Sequence, residues 1–339
     1  MAELFNDQSE PEPNINNELK SMPDKKQKDN KHYLIALAIF IFALIIGVII
    51  IYYQSFSNQL VLKNANPAMI ALAQQAGMNQ RGELVFLRAK PQFATDAQMR
   101  VDCAGNAAAN NKNGFIEQGC FVPNSNNHAT GQIFIRQMPP NLYDQEIVTA
   151  SYEMLHLIYF SLSGSSQSSS LVQAIEANYN SLHSVSLNTQ VVNFAKTEPG
   201  YRDLELFSLL GTEFSKLSPN LEQFYAPYFI NRQLTVDNYN QVISTFQNEQ
   251  TQLKQIRSTI TSDDSLANVA YADSLAWASA GNAYEDTYNY NIYKNYIAQE
   301  NTAINQYNLL SNEYNTLVTE FNGSQPISTI QNIKVQSSK

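Results

Sequence analysis

Glu153 and His156 stand three residues apart in the segment Ser151-Tyr152-Glu153-Met154-Leu155-His156. On a helix, residues three and four apart share a face, so His156 meets both Glu153 and Tyr152. The chemistry this spacing suggests is metal-assisted hydrolysis. In an H-E-x-x-H helix two imidazoles one turn apart bind zinc, and the glutamate beside the first polarises the metal-bound water. Here the glutamate and the second imidazole are in place, and the phenol of Tyr152 occupies the first ligand position. E-x-x-H alone also fits a helix whose Glu and His only hydrogen-bond to their neighbours.

Further donors lie downstream. Leu210-Gly211-Thr212-Glu213 brings one carboxylate, and Glu205 lies about two turns before it. Two carboxylates on one helix are also ordinary surface chemistry. His183 could add an imidazole, although a surface histidine is the simpler reading. Cys103 and Cys120 match no thiolate zinc spacing. Their separation closes a modest loop rich in Asn, Ala and Gly. That fits a disulfide, with two buried thiols as the alternative. No phosphate-cradling glycine loop and no Ser/His/Asp arrangement stands out.

The elements that must position these groups follow from local pattern. Asn66-Pro67 starts a helix over Ala68–Ala76, with Gly77 as its stop. The apolar run in Glu83–Ala89 reads as a strand, and Gly131–Gln137 reads as another. Ile147, Val148, Met154, Leu155, Ile158 and Leu162 recur at helical spacing from Asp144 onward. Helices are expected over Leu171–Leu187, over Tyr201–Lys216, and from Ser218-Pro219 to Asn231. Beyond that, Val236, Tyr239, Ile243, Phe246, Leu253 and Ile260 form one stripe. Ile297, Ile304, Tyr307, Tyr314, Val318 and Phe321 form a second. With the Ala-rich stretch Leu266–Ala283 between them, they predict an antiparallel helical hairpin; an intermolecular coiled coil is the alternative.

The N-terminal part sets the compartment. Tyr33–Tyr53 contains no charged residue and is long enough to span the roughly 30 Å hydrocarbon core of a bilayer. No small-residue cleavage pattern follows it, so it reads as an uncleaved anchor rather than a signal peptide. Lys20, Lys25, Lys26, Lys28 and Lys31 precede the span and only Lys63 follows closely, which places the N-terminus in the cytoplasm. The 339 residues carry a net charge of −9 with 15% charged residues, which argues against a nucleic-acid partner.

The ordered landmarks resemble a family of bacterial membrane-anchored proteins with a gluzincin-like zinc-metallopeptidase ectodomain. They run from Asn66-Pro67 through Ala76-Gly77-Met78-Asn79, Gly82-Glu83-Leu84-Val85-Phe86, Cys103, Gly119-Cys120-Phe121 and Ile133-Phe134-Ile135. They continue through Glu153-Met154-Leu155-His156, Glu205-Leu206, Leu210-Gly211-Thr212-Glu213, and Leu221-Glu222-Gln223-Phe224-Tyr225 to Asn231-Arg232. Tyr307-Asn308 and Tyr314–Val318 close the series. The resemblance implies an edge strand at Ile133–Ile135 that lies along the substrate, Glu153 as general base, and a cleft in which His156 with Glu213 or Glu205 holds zinc. Tyr152 is the departure: the family helix begins His-Glu.

The expected fold is α+β and mainly helical. One transmembrane helix leads to a small antiparallel sheet packed with a zincin-like helical core, and a helical hairpin closes the chain. The divisions are a disordered cytoplasmic tail over 1–32, the span over 33–53, a connector over 54–65, the metallopeptidase-like ectodomain over 66–232, the hairpin over 233–322 and a flexible tail over 323–339. The expected function is a catalytically degenerate, surface-exposed binding protein. It has the lipid bilayer and a protein or peptide as partners and needs no cofactor. An active enzyme using zinc, or a structural helical envelope protein, are the alternatives.

Overall fold

The computed structural model describes residues 26–103, 117–197 and 200–322. The tails over 1–25 and 323–339 and most of the Asn-rich cysteine loop lie outside these residues. Two compact units divide the chain at Leu60/Val61.

The first unit holds most of helix α1 (Lys26–Asn64). Its segment Tyr33–Asn64 is long and apolar enough to cross a membrane, with none of its apolar stretch buried. The helix begins before the expected span and continues through the expected connector, because nothing between Gln54 and Asn64 breaks it. The first proline after the span lies at 67, just beyond the helix end.

In the second unit, Asn66 caps α2 (Pro67–Gln75) by accepting the Ala68 N–H at 2.9 Å. Gly77 ends the turn that follows at φ +73°, and a Cβ there would meet the Asn231 carbonyl oxygen at 2.1 Å. Glu83–Arg88 belongs to a helix, α3 (Gln80–Arg88), with Ala89 as its C-cap, and not to the expected strand over Glu83–Ala89. Asn79 accepts the N–H groups of Arg81 and Gly82 at 2.9 and 3.0 Å. A short apolar run has no period of its own, so the cap decides its conformation.

The sheet has three strands: β1 (Gln92–Ala94), β2 (Gly119–Asn124) and β3 (Asn127–Arg136), in the order β1-β3-β2. β2 pairs antiparallel with β3 as a hairpin, but β1 pairs parallel to it. The sheet is therefore mixed and not antiparallel as expected. The chain from β1 passes through α4 (Asp96–Asp102) and the cysteine loop before returning, and such a long connection permits a parallel partner. Thr95 and Gln98 form a capping box at the start of α4. Cys103 at its end is bonded to Cys120 on β2, with Cα atoms 6.0 Å apart.

Helix α5 (Tyr143–Ser163) packs across β2 and β3 and against α8 (Arg202–Glu213). The helix expected over Leu171–Leu187 is two: α6 (Ser168–Leu182) and α7 (Val185–Thr197). His183 between them takes the left-handed conformation at φ +46°, and Ser184 caps the second through the Leu187 N–H at 3.2 Å. α9 (Pro219–Tyr225) stops well short of Asn231, just before Pro227.

α10 (Gln233–Ser279) and α11 (Ala283–Asn322) form the hairpin, which packs along its own length. The Ala-rich stretch does not link the two helices as expected. It is helical and mostly lies within α10, as the high helix propensity of alanine favours, and Gly281 at φ +73° makes the turn. Leu253, Ile260, Ile304, Tyr307 and Tyr314 fill the seam. At the base, Arg136 donates to the Phe321 carbonyl at 2.9 Å while pairing with Asp96 through both carboxylate oxygens.

Candidate functional site

α5 and α8 build the site, and a glycine sets their approach. A Cβ on Gly211 would lie 2.5 Å from Leu155 Cδ1, so α8 closes on α5 only because that side chain is missing. The far side of α5 is tied down as well. Ser151 shares a 2.8 Å hydrogen bond with Thr235 of α10, whose hydroxyl also reaches the Ala76 carbonyl at 2.8 Å. Glu146, one helical turn into α5, accepts the Met138 N–H at 2.7 Å.

This packing brings Tyr152, Glu153 and His156 of α5 against Glu205 of α8. His156 Nδ1 lies 3.3 Å from Glu153 Oε2, and Nε2 lies 3.6 Å from Glu205 Oε1. The Tyr152 hydroxyl donates a short hydrogen bond to Glu205 Oε2. The Tyr152 ring also rests on the imidazole, with centroids 4.8 Å apart. Glu153 accepts from the Phe121 backbone N–H on β2. Glu153, Glu205 and His156 are all buried and Tyr152 is partly so. Among the described residues the cluster is therefore enclosed, where an open cleft was expected. A cavity of about 300 Å³ does lie near Glu222, Tyr225, Phe229 and Arg232, but no member of the cluster lines it.

The electrostatics follow from this closeness. Burial alone would drive the imidazole of His156 down, but the Glu205 and Glu153 carboxylates more than reverse this and push it up to about 10. Burial would raise Glu205; the His156 charge and the Tyr152 hydrogen bond hold it below the usual carboxylate range instead. Glu153 is raised by burial, which the imidazolium only partly offsets. Tyr152 is raised well above an ordinary phenol by burial and by the Glu205 charge. The cluster is a buried imidazolium–carboxylate pair closed by a phenol that keeps its proton.

Of the two downstream carboxylates, the structure brings Glu205 to His156 and not Glu213. Glu213 turns instead to Tyr239 of α10 and Gln190 of α7, and burial lifts it to about 7. The two glutamates are about two turns apart on one helix, and spacing alone did not separate them. His183 is exposed at the end of α6, outside the cluster. The expected edge strand is corrected too. Ile133–Ile135 belong to β3, the central strand, with Phe134 paired to Gln92 on one side and Cys120 on the other. Over Ile133–Ile135 both sides are occupied, by β2 on one side and by Ala89 and β1 on the other, so these three residues offer no free ladder for a substrate strand. The role of Tyr152 as the hydrogen-bond partner of Glu205 was not anticipated. Its one-turn spacing from His156 was the available signal.

A catalytic zinc takes three protein ligands and a water. Two ligands of a tetrahedral zinc lie roughly 3.3 Å apart, so His156 Nε2 and Glu205 Oε1 could share an ion. Among the described residues, no third donor converges with these two. The Tyr152 hydroxyl is engaged with Glu205, and Glu153 is on the Nδ1 side of the ring. Among the described residues, the three metal-type donors that converge are Cys103, Cys120 and Glu117, where the sulfurs are bonded to each other. The donor set around His156 does not fit a catalytic zinc.

Comparison of the chain with known protein families, with curated proteins and with solved structures gives no match in any of the three.

Proposed function

We propose that the protein is anchored in the membrane by α1, that Val61 onward faces the outside, and that its domain descends from a gluzincin-like metallopeptidase and now works by binding a protein or peptide. The observation that carries this reading is the Tyr152–Glu205 hydrogen bond. In an active H-E-x-x-H site, position 152 would offer an imidazole to the metal. Here a protonated phenol takes that place and ties up the carboxylate from α8. The internal position of β3 and the burial of Glu153 support the same reading, since a peptidase must admit an extended substrate beside its general base.

The direct functional test is a peptide-library cleavage assay with added zinc. The protein and its Glu153→Gln variant are expected to give equal, background rates. Cleavage by the parent that the variant loses by the usual factor for a missing general base, about 10²–10⁴, overturns the proposal.

The outward orientation rests on the lysines before Tyr33 and on the Cys103–Cys120 bond, which persists in oxidising compartments. In intact cells a membrane-impermeant maleimide is expected to label these cysteines only after reduction. Reduction is also expected to cost the folded domain about 3 kcal/mol, read as a lower Tm. Labelling that needs cell lysis contradicts the orientation.

A further inference from the structure

The far end of the hairpin carries an unusual surface. The turn at 280–282 lies about 65 Å along α10 from Thr235, the residue that ties α10 to the domain core. Close to this turn Trp277 is 42% exposed, Tyr284 77% and Tyr288 55%. Trp277 is the only tryptophan of the chain. Away from the tip the aromatic residues of the hairpin are buried or partly buried, and Tyr293, Tyr307 and Tyr314 lie in the seam. The exposed rings are therefore not needed to hold the two helices together.

The charge nearest them is mainly negative. Asp273, Glu285 and Asp286 lie on the tip segments, Asp263 and Asp264 lie farther down α10 beside Glu300, and the first cation along α11 is Lys294, over the Tyr290 ring. Asp273 is exposed, and Glu285 and Asp286 are partly so. Asp286 also accepts a 2.7 Å hydrogen bond from Ser274, which fixes it across the two helices.

We infer that the hairpin tip around Trp277, Tyr284 and Tyr288 is a docking surface for a cationic, arginine-bearing segment of a partner protein. This rests on the reading of the domain as a binding protein and names the surface that does the binding. Charge complementarity selects the occupant. An anionic bilayer surface is repelled by these carboxylates, and so is the same tip of a second copy. A guanidinium suits both halves of the surface, because it stacks on Trp and Tyr faces and pairs with carboxylates in a planar fork.

The sole tryptophan makes the test direct. Full-length protein in phosphatidylcholine nanodiscs is titrated with a hexa-arginine peptide while Trp277 emission is followed. A saturable change is expected that weakens as salt rises. Tyr284→Ala and Tyr288→Ala should each lower the apparent affinity about two- to fivefold. Asp273→Asn combined with Glu285→Gln should lower it further, and Glu320→Gln near the hairpin base should leave it unchanged. Hexa-glutamate should give no change. The inference is overturned if hexa-arginine leaves the emission unchanged or if tip and base variants respond alike, which is general attraction to an acidic protein. It is equally overturned if the emission responds to phosphatidylglycerol vesicles or to protein concentration and not to the peptide. A zinc-dependent cleavage activity would refute the non-catalytic reading and leave this titration as it stands, so the two fail separately.

Discussion

Glu205→Ala is expected to destabilise the folded domain by about 3–5 kcal/mol, the range for removing one partner of a buried ion pair. The substitution leaves the His156 imidazole without the carboxylate 3.6 Å from its Nε2 and the Tyr152 hydroxyl without its acceptor. Loss of the proton from His156 then limits the damage, because the neutral ring is less costly to bury. Glu205→Gln keeps an acceptor for Tyr152 and should cost less. The pH dependence follows from the same pair. The folded-state pKa of His156 lies above its ordinary value, so its stabilising contribution is complete below about 6.5 and is lost as pH rises through about 10. The parent should therefore lose stability across that window, and Glu205→Ala should lose less. Urea denaturation at a series of pH values measures both effects. A Glu205→Ala variant as stable as the parent at pH 6 contradicts the description of the cluster.

Much of the fold could be read from local signals, and the exceptions have physical causes. Asn66-Pro67, the α5 stripe and the two hairpin stripes each carry a period or a cap long enough to fix their element. Leu84–Leu87 did not, because four apolar residues suit a strand or a helix equally and the Asn79 cap decided between them. The parallel pairing of β1 depends on a long connection whose path no local pattern specifies. His183 ends α6 in the left-handed region, where a non-glycine residue gives little warning.

The site was legible to the same degree. Glu153 and His156 could be placed on one helix because their spacing determines it. Choosing Glu205 over Glu213 required the tilt of α8 on α5, which Gly211 and Leu155 set through close packing. Tyr152 could be recognised as standing where an H-E-x-x-H helix carries its first imidazole. That its hydroxyl would reach across to Glu205 follows only once the two helices are in contact.

Tyr152→His is expected to convert this closed cluster into a zinc site. It sets a second imidazole one turn from His156 and releases the Glu205 oxygen that the phenol now holds, which completes a three-ligand set. Losing a residue that merely supports a zinc ligand costs 10- to 100-fold in affinity, so gaining a ligand should tighten binding by about 100-fold or more. The most direct measurement is the zinc content of the full-length parent and of Tyr152→His by elemental analysis, after equilibration with zinc and removal of the excess, with circular dichroism to establish that both are folded. Far less than one zinc per chain is expected in the parent and about one in the variant. A parent that already holds about one zinc per chain, or a folded variant that holds no more than the parent, would contradict this expectation.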